Sequence, residues 1–204
     1  SYESAANGIA MYERATASTN RFYINVSQSN RKYTDYRAAD GERIPNSQFQ
    51  DRQTQVNFGL KISERHTFEA RYQTFSVIDV GIPGGSAFPT KATASYPTTG
   101  RDLYDAEWVW RPASRWMNES KLALYYQPVN RDALILPHAP STVAANPKDE
   151  AQQIRTTAQS ISSGADHEVY GFRWQNVMRF GGHDVVAGFE GWPKNMESDR
   201  SRVI

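Results

Sequence analysis

The chain contains no cysteine, which excludes disulfide staples, thiolate nucleophiles and cysteine-held zinc. An excess of either charge is also missing. Lys and Arg number 23 against 22 Asp and Glu, for a net charge of +1, so no polyanionic partner is indicated and nucleic acid is not expected. No stretch approaches the ~18 consecutive apolar residues of a transmembrane helix, and the N-terminus carries no signal-peptide pattern. Mean hydropathy is −0.68, polar for a chain that must bury a core. These absences leave two classes: a soluble β protein, or a membrane β-barrel whose strands escape a hydropathy scan.

Aromatic residues are abundant, at 12% of 204 residues, with five Trp and eleven Tyr. Many lie in segments of strict period two, the pattern of a half-buried strand. In RFYINVSQ, Phe22, Ile24 and Val26 share one face and Tyr23, Asn25 and Ser27 the other. The same alternation predicts strands over 7–15, 21–37, 53–63, 68–75, 103–111, 121–132, 167–180 and 183–192. These eight segments are joined by connections that alternate short and long, with long loops expected near 38–49, 79–101 and 134–165. A soluble sandwich has no reason to sort its loops by end. An outer-membrane barrel does, because its periplasmic turns are short and its extracellular loops long.

The same pattern predicts that the strand at 21–37 outlasts its apolar face. A spanning strand needs only about 9–11 residues to cross the hydrocarbon, so residues 29–37 would project into water. Phe22, Phe68, Trp110 and Phe180 fall at the turn ends of their strands, where aromatic rings suit the water–lipid boundary. The expected fold is therefore all-β, an antiparallel transmembrane β-barrel placed in the cell outer membrane. By strand direction both termini lie on the outer side, and the last residues, SDRSRVI, are expected as a polar loop. The chain is thus expected to be an internal section of a larger barrel.

Three stretches, DYRAADGERIPNSQFQDR, DVGIPGGSAFPTKATASYPTTGRDLY and GADHEVYGFRWQNVMRFGGHDVVAGFEGWPKNMESDR, resemble the barrel half of TonB-dependent outer-membrane receptors. The resemblance covers nearly all of the chain. It implies a barrel of about 22 strands enclosing an N-terminal plug domain, outer-membrane lipid around it, and an inner-membrane TonB-type energy complex engaged through residues outside this stretch. It implies no enzyme activity and no cofactor. The implied task is uptake of a scarce ligand, foremost a ferric siderophore, a metal chelate. Cobalamin, haem, another metal complex or a glycan are the other cargoes, and a passive porin is the alternative of a different class.

On this reading the inward faces form a wall that hydrogen-bonds the plug. Glu69 and Arg71, Glu107 and Arg111, then Arg173, Gln175 and Arg179 belong to it, with Asp184 and Glu190 beyond. Ligand contacts are expected from Arg43, Tyr96, Arg101, Arg131, His138 and Arg155 in or beside the long loops, because guanidinium and aromatic faces suit anionic chelates. The histidines at 66, 138, 167 and 183 never share a short window, so no metal-ligand spacing exists. Methionines 11, 117, 178 and 196 are scattered. IPGGSAFP lacks the Lys-Ser/Thr ending of a phosphate loop. No Ser-His-Asp set can be assembled, and DHE at 166–168 is too short to signify one. An outer-membrane hydrolase is the weaker enzyme alternative.

Overall fold

The computed structural model describes residues 1–4, 6–83, 92–137, 141–144, 153–156 and 159–203. Within these it is all-β and antiparallel. The elements are β1 (Tyr2–Glu3), β2 (Gly8–Ser18), β3 (Phe22–Tyr33), β4 (Phe49–Lys61), β5 (His66–Ile82), β6 (Ala92–Trp110) and β7 (Met117–Pro137). They are followed by β8 (Ser141–Ala144), β9 (Gln153–Thr156), β10 (Ser160–Phe180), β11 (His183–Gly191) and β12 (Lys194–Val203). Each long strand pairs with the next in sequence, in the order β1-β2-β3-β4-β5-β6-β7-β10-β11. β8 and β9 pair only with each other. β11 takes Phe172–Phe180 of β10 and β12 takes Ser160–Val169, so the two act as one strand broken at Trp192-Pro193. Proline, with no N–H to donate, accounts for the break.

Eight long strands thus match the eight expected, but several boundaries differ. The strand expected over 21–37 ends at Tyr33. Much of the expected loop at 79–101 is strand, in β5 to Ile82 and β6 from Ala92. The expected loop at 134–165 likewise holds the end of β7, the β8–β9 hairpin and the start of β10. SDRSRVI, expected as a loop, is strand through Val203. All four are corrections. The last three share one cause: ladder hydrogen bonds are made by the backbone, so a strand with both faces in water need not alternate in hydrophobicity. The first ends early because Thr34 bonds Ala6 and Asp35 bonds Ser47 and Gln48.

Register turns the alternation of single strands into two continuous faces. One row reads Ile24, Phe58, Ala70, Ala106, Leu124, Phe172 across six strands. The row beside it reads Val26, Val56, Tyr72, Tyr104, Tyr126, Tyr170. These side chains are exposed in large part: Leu124 is 53% accessible and Tyr104 47%. The opposite face carries the polar and charged residues and is the crowded one. Asp51, Gly59, Val109, Ala123 and Gly171 are its buried members, as expected of the concave side of a curved sheet. Glycine creates room there for neighbouring rings, since a Cβ on Gly59 would strike Tyr23 and one on Gly171 would strike Tyr125.

Short turns gather at one end, at Thr19–Arg21, Ile62–Arg65, Arg111–Trp116 and Gly181-Gly182. Gly181 has φ +60°, a left-handed value that glycine adopts without steric cost. At the other end the segment 34–48 folds back over the sheet. Asn46 donates from Nδ2 to the carbonyls of Ile82 (2.8 Å) and Ala94 (2.7 Å), which joins this loop to β5 and β6.

Candidate functional site

Two layers of the polar face carry its chemistry. The first lies toward the short turns, where one register row brings Tyr23, Gly59, Glu69, Glu107, Ala123, Arg173 and Glu190 side by side. Arg71 and Asp105 face each other in the adjoining row, with Asn57 beside Arg71. Of these, Tyr23, Asn57, Glu69, Arg71, Asp105, Glu107 and Arg173 line an open cavity of about 360 Å³. Glu69 and Glu107 are direct cross-strand partners, a like-charge placement that costs stability. Cations surround them: Arg173 Nη2 lies 3.5 Å from Glu107 Oε2, and Arg71 lines the same cavity. Nearer the turns, Arg111 pairs with Glu119 at 2.8 Å and Arg179 with Asp184 at 2.8 Å. Gln175 faces the same side, opposite Lys121 and Gly188.

All seven residues read as an inward wall therefore share one face. A partner seated against them would meet carboxylates and guanidiniums that are half open, with their hydrogen-bonding capacity only partly used.

The second layer lies toward the long connections. Arg101 donates to Gln73 Oε1, and its Nε is buried without a protein partner among the described residues. Arg131 sits in the next row, opposite Thr99 and Ala165, with its guanidinium 6.0 Å from the Tyr96 ring, within cation–π range. Tyr96 reaches that side through a bulge. β6 spends five residues from Ser95 to Thr99 where β7 spends four from Leu134 to Arg131, and this reverses the facing of the residues beyond it. Pro97 sits inside the bulge, a place where a missing N–H is tolerated.

Arg43 stands apart from these. Its guanidinium closes on Asp35 (2.9 Å) within the 34–48 loop. Asp35 also accepts the backbone N–H groups of Ser47 (2.9 Å) and Gln48 (3.1 Å). The Ser47 N–H, with the charge and hydrogen bond of Arg43 and the N–H of Gln48 behind it, holds the Asp35 carboxyl below the usual carboxylate range. Arg43 is thereby a brace of its own loop as well as an exposed cation. His138 and the side chain of Arg155 lie outside the described residues.

DHE is divided by the pleat. Asp166 and Glu168 take the apolar-face side, and His167 takes the polar side opposite Val129 and Met196. The His167–Met196 juxtaposition was invisible in sequence, because nothing signalled that residues 29 positions apart would pair. Among the described residues no three metal-ligating side chains cluster.

The two faces meet water differently. Tyr72, Tyr104, Tyr126 and Tyr170 stack in sequence with centroids 4.6 to 6.0 Å apart. Their hydroxyls turn to the carboxylates of the next row: Tyr72 donates to Asp102 Oδ1 (3.4 Å) and Tyr126 to Glu168 Oε1 (2.8 Å). At the turn end His66 stacks on Trp108 (5.6 Å), and Trp174 Nε1 donates to Ser120 Oγ (3.0 Å). An apolar band bordered above and below by rings with a polar tip is the arrangement of a bilayer-facing barrel wall.

No protein-family model matches the sequence, and no curated protein matches it at a significant level. Among solved structures the chain is similar to the copper transporter OprC, with a TM-score of 0.68 and 13% identity. The likeness covers 97% of this chain and 29% of that one. At that identity the likeness concerns fold. The chain has the architecture of a section of an antiparallel, outer-membrane-type β-barrel, and it spans under a third of the length of the transporter it resembles.

Proposed function

We propose that this chain forms part of the barrel wall of a TonB-dependent receptor in the outer membrane. The receptor captures a scarce ligand from outside and passes it inward, and the ligand favoured is a ferric siderophore. One observation carries the proposal: across eight strands a continuous exposed apolar face backs a continuous charged face, with all short turns at one end and all long connections at the other. Lipid takes the first face and a solvated partner the second. Among the described residues β2, beyond its short pairing with β1, and β11–β12 present backbone groups without a ladder partner, which hydrocarbon does not tolerate. Further strands therefore close the barrel.

In this mechanism the Glu69, Arg71, Glu107 and Arg173 layer holds the plug through charge-assisted hydrogen bonds. Coupling to the energy complex loosens that layer, and the ligand moves from the outer mouth past it. These contacts suit reversible holding, since half-exposed ion pairs contribute only about 0–1 kcal/mol each.

A second reading has its own observation. His167 and Met196 are opposed on the polar face near the mouth, and imidazole with a thioether suits copper better than ferric iron. Copper as cargo is accordingly the alternative.

The test is uptake by cells that carry or lack the full-length protein, supplied in turn with radioiron siderophores and with copper under metal limitation. Loss of ferric-siderophore uptake on deletion supports the first reading and loss of copper uptake the second. Unchanged uptake of both, with unhindered passage of small solutes, contradicts an energised receptor and leaves a passive porin.

A further inference from the structure

Beyond the tyrosine row, β6, β7, β10 and β12 sort their charge by side. The basic residues there are Arg101, Arg131, Lys194, Arg200 and Arg202, and register places all of them on the polar, inward face. The acidic residues are Asp102, Asp132, Asp166, Glu168, Glu197 and Asp199, and all lie on the opposite face. KNMESDRSRV alone shows it: Lys194, Arg200 and Arg202 point in while Glu197 and Asp199 point out.

This sorting lowers stability. Asp166 and Glu197 are direct cross-strand partners on the outer face, where like charges repel. Mixing the signs on each face would relieve that cost. A local rule broken without a structural gain is the mark of a functional surface.

The inward side is also shaped to receive something. Between Arg131 on β7 and Arg200 on β12 lie Ala165, Ser163 and Ser198, all small. Arg131 and Arg200 stand two strands across and two residues along from each other, ~12 Å by sheet spacing, above this low floor. Among the described residues Arg131, Arg200 and Arg202 form no ion pair with a carboxylate.

We infer that this strand-borne wall is an anion-binding site, with Arg131, Arg200 and Arg202 as its charge-recognising groups and Arg101 and Tyr96 at its side, and that it takes a ligand carrying several carboxylate or phosphate charges whether or not a metal is bound. The inference rests on the barrel reading of the proposed function and not on the identity of the cargo. Three guanidiniums on rigid strands are spread over a surface wide enough for a polycarboxylate but too wide for a single chloride. Guanidinium planes suit two-point contacts with carboxylate and phosphate. The outward acids add selectivity, because anions are repelled from the lipid side of the rim and meet attraction only within the mouth.

The test is calorimetric titration of the full-length protein in detergent at low salt with metal-free citrate, ferric citrate and the neutral sugar maltose. It compares wild type with Arg131→Gln/Arg200→Gln/Arg202→Gln and with the outer-face control Asp132→Asn/Glu197→Gln/Asp199→Asn. Heat-modifiable gel mobility verifies that each barrel is folded. The expected result is citrate binding with and without iron, lost by about tenfold or more in the inner variant and retained in the outer one. Equal citrate binding by wild type and the inner variant overturns the inference, as does the absence of citrate binding. Citrate binding without any energised uptake contradicts the receptor proposal and leaves the anion site standing.

Discussion

Leu124→Arg separates a lipid-facing wall from a soluble sheet most sharply. Leu124 lies on the apolar face midway between Leu122 and Tyr126, flanked in register by Ala106 and Phe172. Two residues of strand, ~7 Å, separate it from the tyrosine row on one side and from the Trp108 row on the other. It is 53% accessible. On a soluble protein a half-exposed surface position accepts arginine within about 0.5 kcal/mol. At the midplane of a bilayer the same change costs about 2–4 kcal/mol. The difference of at least about 1.5 kcal/mol is more than tenfold in a folding equilibrium.

The control is Gln175→Arg, on the polar face of β10 opposite Lys121, where water or a solvated partner receives the charge and repulsion from Lys121, itself paired with Glu119, costs under about 1 kcal/mol. The assay is urea unfolding of the full-length protein in lipid vesicles, followed by tryptophan fluorescence. A large loss for Leu124→Arg with near-neutrality for Gln175→Arg is the expected result. Equal effects for the two would refute the assignment of the apolar face to lipid.

Asp35→Asn keeps one oxygen that can accept the Ser47 and Gln48 N–H groups but removes the charge and the second oxygen, which receives Arg43, and the 34–48 loop should lose about 1–3 kcal/mol of local protection, read by hydrogen exchange of its amides. Because the folded carboxyl titrates below its usual range, its stabilisation is complete above that range and is lost as pH falls through the depressed folded value. Protection of the Ser47 amide, relative to its intrinsic exchange rate at each pH, should therefore fall toward acid in wild type and be flat in Asp35→Asn. Gly171→Ala drives a methyl into the Tyr125 ring and should destabilise by about 1–3 kcal/mol; Tyr125→Ala should relieve much of that penalty, and independent, additive losses would contradict the packing. Glu168→Gln removes the charged acceptor of the Tyr126 hydroxyl, for an expected loss of about 1 kcal/mol that Tyr126→Phe in the same chain should not deepen.

What the sequence disclosed follows from what leaves a trace in side chains. Phe22, Ile24 and Val26 alternate because one face of their strand must be apolar, and the same constraint marks Tyr170, Phe172 and Trp174. Faces, strand number and the two kinds of connection were legible for that reason. Residues 92–101 and 194–203 were not, because strands whose faces are both wet are specified by backbone pairing, and Gly, Pro and Ser there suggested loop. Two signals would have found them: the β-branched and aromatic content of ATASYPTT, and the charge alternation of KNMESDRSRV. That Glu69, Arg71, Glu107, Arg173 and Gln175 share one face was legible one at a time from parity. Their grouping was not, since the meeting of Glu69 with Glu107, or His167 with Met196, depends on register, which no single strand encodes. The bulge that turns Tyr96 toward Arg131 depends on a count across two strands and was equally hidden.

The most direct test of the account uses the absence of cysteine from this stretch. Single cysteines placed in turn from Lys121 through Tyr126, in the full-length protein reconstituted in lipid, are labelled with a fluorophore. Each is then challenged with a lipid-borne and with a water-borne quencher. A wall between lipid and a solvated lumen predicts strict alternation, with positions 122, 124 and 126 quenched from the lipid and 121, 123 and 125 shielded from it. Quenching from water at all six positions, or no alternation between them, would contradict a membrane barrel.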